Sequence, residues 1–202
     1  MIKDYFLHEK TFLNDFTLTA KDRQIEFHNN KSDDFRVTFV ETGLESLTGE
    51  RMLKLEKHIN TNEFMVTYGD GVSDIDINRL VEFHKQQKTI ATITGVHPYS
   101  KYGLLEIDET THRATDFRQK PLIQEYVNGG FMVFNKEAFR YFDTGTMENP
   151  FPKLIKESQL SIYQHDGFWK GMDTYLEAEE LNKLWETERP WAVWEKGQQA
   201  NS

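Results

Sequence analysis

Residues 64–96 read FMVTYGDGVSDIDINRLVEFHKQQKTIATITGV, and this stretch decides the fold. It opens on a short apolar run, 64–68, suited to a buried strand. Gly69-Asp70-Gly71 ends that run. Ser73 or Asp74 can then cap a helix through Gln87, with Ile77, Leu80, Val81 and His84 on one stripe. Residues 89–96, TIATITGV, are the next strand. Upstream, 36–42 (RVTFVET) alternates and is β-branched, which predicts another strand, broken by Gly43. Between the two, 48–59 carries Met52, Leu53, Leu55 and Ile59 at near-helical spacing. The β-α-β-α-β alternation predicts an α/β fold with a largely parallel sheet and helices on its faces.

Further out the pattern changes. Residues 16–19 and 24–28 alternate apolar and polar and can pair as strands. The stretch 22–34 is largely polar and loop-like from Asn29. Residues 102–107 and 112–118 flank the polar turn Asp108-Glu109-Thr110-Thr111 and read as a hairpin. A strand at 130–134 leads into a helix from Lys136. Residues 151–157 are helical, with Pro150 and Pro152 near the start. A strand at 160–164 precedes the clearest amphipathic helix, 174–186, with Tyr175, Leu176, Ala178, Leu181 and Leu184. Trp185, Trp191 and Trp194 read as an aromatic flap packed on the body. The expected organisation is one domain over 1–195 and a disordered tail over 196–202.

Composition removes several functions. The 202 residues include fifteen Phe, eight Tyr and four Trp, too many large apolar groups for a disordered chain. With no cysteine there is no disulfide framework, thiolate metal site or Cys nucleophile. A net charge of −9 argues against a nucleic-acid partner and against an anionic membrane surface. No window approaches the roughly 20 apolar residues that span a bilayer. The N-terminus carries charges where a signal peptide needs an apolar core. The chain reads as soluble and cytoplasmic.

Two acidic motifs carry the candidate chemistry. Asp70 sits between glycines at the end of a strand, where open α/β sheets bind ligands. A carboxylate there can hold Mg²⁺, which takes a few carboxylates plus phosphate oxygens. The same residues suit a plain βα turn with Asp70 as cap. Asp173, in Gly167-Phe168-Trp169-Lys170-Gly171-Met172-Asp173-Thr174, is either the N-cap of the last helix or a second metal carboxylate folded back onto Asp70. Lys120, in Phe117-Arg118-Gln119-Lys120-Pro121, can neutralise a phosphate or be a solvated surface lysine. Asn128-Gly129-Gly130 offers an amide and backbone donors to sugar hydroxyls, or makes a tight turn. Asp74-Ile75-Asp76 is a weak DxD hint of a nucleotide-sugar glycosyltransferase, against acidic residues in a helix's first turn. The seven histidines show no HExxH spacing.

In order and spacing, these strings resemble the sugar-nucleotide pyrophosphorylase family, and within it the glucose-1-phosphate cytidylyltransferases. The resemblance covers 1 to about 195 and is strongest over 64–173. It implies a Rossmann-like nucleotide-diphospho-sugar transferase fold with a small β-rich sugar-binding part. It implies a reaction of CTP with α-D-glucose 1-phosphate giving CDP-glucose and pyrophosphate, in the service of surface polysaccharides, with Mg²⁺ and a homo-oligomeric assembly. By resemblance Asp70 and Asp173 are the metal carboxylates, and Gly69 lies against the nucleotide. Thr42, Gly43, Ser46, Thr48, Gly49 and Arg51 line the cytidine pocket. Lys120 binds the sugar phosphate, and Asn128, Gly129 and Gly130 bind glucose.

The chain also departs from that family. The family's Gly-rich triphosphate loop has no counterpart among the glycines here, so the expected fold is N-terminally truncated. Glu50 stands where the family usually has glycine, Gln119 where it has glutamate, and Lys170-Gly171 where it has a polar-proline pair. Two alternatives follow: a non-catalytic remnant or fragment needing a partner, and the glycosyltransferase suggested by Asp74 and Asp76.

Overall fold

A computed structural model describes residues 2–31 and 36–195. The expected tail at 196–202 and part of the polar stretch, 32–35, lie outside the described residues. The chain divides into two compact units, Met1–Leu44 and Glu45–Ser202.

In the first unit, α1 (Ile2–Leu13) precedes a hairpin of β1 (Phe16–Thr19) and β2 (Gln24–Phe27), paired antiparallel from Phe16↔Phe27 to Thr19↔Gln24. The alternation expected there is what forms. Asn14 ties the unit together: its amide nitrogen donates to the carbonyls of Lys10 and Lys31, and its oxygen accepts the N–H of Lys31. Residues 36–42 do not form a strand, despite their pattern. A strand needs a hydrogen-bonding neighbour, and the two described strands of this unit pair with each other.

The second unit is built on a four-stranded sheet. Its elements are α2 (Thr48–Leu55), β3 (Glu63–Thr67), β4 (Gly71–Ser73), α3 (Ile77–Gln87), β5 (Ala91–Val96), β6 (Leu104–Ile107), β7 (Ala114–Arg118), β8 (Val127–Asn135), α4 (Phe151–Lys156), β9 (Leu160–His165), β10 (Trp169–Gly171) and α5 (Tyr175–Thr187). The sheet order is β3-β8-β5-β9. β5 and β9 are parallel neighbours, whereas β8 runs antiparallel to both β3 and β5. The three strands β3, β5 and β9 therefore share one direction, as the βαβ alternation predicts. The adjacency differs, because β8 fills the gap between β3 and β5 and makes most of the pairings antiparallel.

The strand β8 explains the layering. Its alternate side chains point to opposite faces. Met132 and Phe134 join Met52, Ile93, Phe139, Phe142, Met147 and Leu154 in one core. Val133 joins Ile75 and Leu80 on the other face, under α3. His84, expected on the stripe of α3, is almost fully buried. Its ring bonds Thr92 Oγ1 at 2.8 Å and Asn135 Oδ1 at 3.1 Å, so this buried imidazole is satisfied by the sheet. The helix expected over 48–59 tightens into a 3₁₀ turn at Glu56–His58, and the one from Lys136 is a 3₁₀ turn, Lys136–Arg140.

Both helix caps next to the acidic motifs lie further along the chain than the candidates named for them. Ser73 lies in β4, and α3 is capped by Asp76, whose carboxylate accepts the N–H groups of Asn78 and Arg79. Asp74 instead bonds His165 Nε2 at 3.0 Å. Both carboxylates of the DxD string thus have structural partners. Thr174, not Asp173, caps α5 through a capping box with Glu177. The aromatic flap forms: Trp191 stacks on both Trp185 and Phe168.

Candidate active site

A two-stranded ladder absent from the expected elements builds the site. β4 and β10 pair antiparallel with Gly71 opposite Gly171 and Ser73 opposite Trp169. The ladder continues through the N–H of Met172, which donates to the carbonyl of Asp70 at 2.8 Å. This register sets Asp70 opposite Met172, one residue from Asp173. Two aspartates about a hundred residues apart in sequence thus come to the same end of one ladder. Both line a cleft of about 270 Å³ with Thr67, Tyr68, Gly129 and Trp169.

Each carboxylate is exposed. That of Asp70 has no hydrogen bond or ion pair among the described residues. Oδ2 of Asp173 takes the Lys101 ammonium at 3.0 Å. The same ammonium is 3.0 Å from Glu177 Oε1. The hydrogen bond from Lys101, with those from the backbone of Asp173 and from Thr174, holds the Glu177 carboxyl down at about 2. Two carboxylates lining one cleft, one of them paired with an ammonium, could hold a hard divalent cation that keeps places for phosphate oxygens and water. Among the described residues no cluster of three or more metal-ligating side chains occurs.

A second cleft, of about 980 Å³, shares Trp169, Gly171 and Asp173 with the first. Lys101, Lys120 and Lys170 all line it. Lys120 sits just beyond β7 in the left-handed region, φ 46°, followed by Pro121. Lys170 pairs with Glu180 of α5. Sequence reasoning found Lys120 and missed Lys101, whose partners Asp173 and Glu177 come from the far end of the chain.

Asn128, Gly129 and Gly130 lie at the start of β8. Gly129 reaches the smaller cleft, and its carbonyl accepts the Trp169 indole N–H at 2.8 Å. Asn128 Oδ1 accepts the Gly130 N–H at 3.0 Å, and its amide nitrogen approaches the Tyr68 hydroxyl at 3.5 Å. Tyr68 donates in turn to Glu148. Burial, then the bond to the Glu148 carboxylate, pushes the phenol upward. Gly130 has φ 80°, and a Cβ there would stand 2.6 Å from Tyr68 Cδ2.

The residues expected around the nucleotide fall in several places. Gly69 adjoins Asp70. Thr48 and Gly49 open α2 and dock on the 145–147 loop: Met147 N–H donates to Thr48 Oγ1 at 2.8 Å, and Gly49 N–H to Gly145 O at 2.9 Å. Arg51 Nε donates to the Ser46 carbonyl at 2.9 Å. These four line neither cleft. Thr42 and Gly43 belong to the first unit, where Gly43 has φ 91°.

A family model described as nucleotidyl transferase matches residues 18–174. The chain is 34% identical over 201 residues to glucose-1-phosphate cytidylyltransferases of Salmonella typhi and Salmonella typhimurium, covering 96% of this chain and 77% of theirs. It is 32% identical over 145 residues to mannose-1-phosphate guanyltransferase 2 of Candida glabrata, covering 66% of this chain and 40% of that one. The crystal structure of HddC from Yersinia pseudotuberculosis superposes with a TM-score of 0.51 at 17% identity, over 71% of this chain and 64% of that one. The fold is that of the nucleotide-diphospho-sugar transferases. A match over most of the chain, on this fold, leaves one conclusion: the chain belongs to the nucleotidyl transferase family and is a nucleotidyltransferase of the kind that acts on a sugar phosphate.

Proposed function

We propose that the chain is a glucose-1-phosphate cytidylyltransferase, acting in the cytoplasm on CTP and α-D-glucose 1-phosphate. The observation that carries the chemistry is Asp70 and Asp173 brought together by the β4–β10 ladder beside a lysine-lined cleft. What supports the choice of base and sugar is the likeness to cytidylyltransferases over 96% of the chain.

In this reading Asp70 and Asp173 hold Mg²⁺, which when bound offsets phosphate charge and orients the phosphate oxygens. Lys120 neutralises the sugar phosphate as a point charge. The backbone at Gly129 and Gly130 faces the sugar, with Asn128 shaping the start of β8 through its own bond to Gly130. The sugar-phosphate oxygen attacks the α-phosphorus of CTP in line, the bond to the β-phosphate oxygen breaks, and pyrophosphate leaves. No covalent enzyme intermediate is required, so the side chains position and neutralise. Gly69, which adjoins Asp70, approaches the nucleotide, and the assembly is homo-oligomeric.

The test is pyrophosphate release by the purified chain with Mg²⁺, over each nucleoside triphosphate and each of glucose 1-phosphate and mannose 1-phosphate. Release with CTP and glucose 1-phosphate is expected, falling at least about 100-fold in Asp70→Asn and in Asp173→Asn. Faster release with GTP and mannose 1-phosphate would replace this reading by the second one, which the likeness to guanyltransferases favours.

A further inference from the structure

Lys101 joins the two halves of the site. Its ammonium bridges Asp173 Oδ2 and Glu177 Oε1, each at 3.0 Å. The two partners are held differently. Glu177 is fixed, because its Oε2 accepts the N–H groups of Asp173 and Thr174 and the Thr174 hydroxyl. Its side chain is only 20% exposed. Asp173 is 68% exposed and Lys101 56%, so their bond forms in water and is weak and exchangeable. Lys101 also lines the larger cleft together with Lys120. Anchored at Glu177, its flexible stem can carry the charge from Asp173 to an anion in that cleft.

We propose that Lys101 is a positioning residue that holds Asp173 until a divalent cation takes that carboxylate, and then turns to the phosphate of the sugar phosphate. The inference rests on the reading of Asp70 and Asp173 as metal carboxylates. The ammonium and the cation compete for the same oxygen, so the lysine keeps Asp173 oriented and its charge offset before loading. After exchange it adds a second positive charge beside Lys120.

The experiment uses the full chain and Mn²⁺ as probe, with free Mn²⁺ counted by electron paramagnetic resonance in the absence of substrates. Lys101→Met, which keeps the stem and removes the charge, should bind Mn²⁺ about two- to fivefold tighter than the wild type, the worth of an exposed ion pair. Its KM for glucose 1-phosphate should rise at least about threefold, with the KM for CTP unchanged, and Lys101→Arg should restore both. A mere tie between the loop and α5 would lower the urea midpoint without tightening Mn²⁺. Unchanged or weaker Mn²⁺ binding in Lys101→Met overturns the competition, and tighter binding with an unchanged sugar-phosphate KM overturns the exchange. Asp70→Asn separates the two readings. If it binds Mn²⁺ as the wild type does, the metal reading fails and takes this inference with it. If it binds more weakly while Lys101→Met is unchanged, only the inference about Lys101 fails.

Discussion

Thr174 takes the capping role at α5 and so leaves Asp173 to the cleft. The adjacent residues look interchangeable in sequence, since both aspartate and threonine cap helices well. Glu177, three residues beyond Thr174, is the local sign that favours threonine, because it completes the capping box. The glycines of the site differ in the same residue-by-residue way. Gly130 holds φ 80° with Tyr68 packed against its open side, whereas a Cβ on Gly69 would meet nothing within 4 Å. Gly130→Ala should therefore lower stability by about 1–3 kcal/mol from backbone strain and the displaced ring. Gly69→Ala should change it by less than about 1 kcal/mol. Urea midpoints of the two variants measure the difference.

At the scale of elements, the ladder of β4 and β10 is three residues a side and still aligns the site. It is reinforced at both ends, by Met172 N–H on Asp70 O and by Asp74 N–H on Phe168 O at 3.1 Å. Trp169, in β10, adds the indole bond to Gly129 and ties the ladder to β8. The N-terminus of α5 anchors the chain just after it. Thr174→Ala removes the capping side chain and should cost about 0.5–2 kcal/mol of stability, read from urea unfolding. Because the same box orients the backbone at Asp173, that variant should also weaken Mn²⁺ binding. Thr174→Ser, which keeps the hydroxyl, should preserve both properties.

Across the whole molecule the described residues carry their burial unevenly. All six residues of β5 are buried, and β8 fills the middle of the sheet beside it. In the first unit α1 buries none of its residues, and Ile2, Leu7 and Phe12 are each more than two thirds exposed. Opening free energies should follow that contrast. Native-state hydrogen exchange should find the slowest amides in β5 and β8 and the fastest among those of α1, β1 and β2. Equal protection in the two units would contradict it.

The local patterns were legible in the sequence. The strand at 89–96, the stripe of Leu80 and His84, the hairpin around Asp108 and the amphipathic 174–186 helix all form close to where their residues imply. Asp70 and Asp173 could also be named, from glycines and strand ends. What one dimension could not carry was every relation made across the chain. β8 inserts antiparallel between two parallel strands because long-range pairing, not local pattern, selects a strand's neighbours. Residues 36–42 have a strand's pattern and no strand, for the same reason. Lys101 gave no signal, since its partners stand 72 and 76 residues away. The sequence by itself determined most of the long helices and strands and which side chains carry charge at their ends, because those depend on neighbours along the chain. Only the tertiary structure decided that Asp70, Asp173 and three lysines share adjoining clefts, because that depends on which backbone hydrogen bonds close between distant strands.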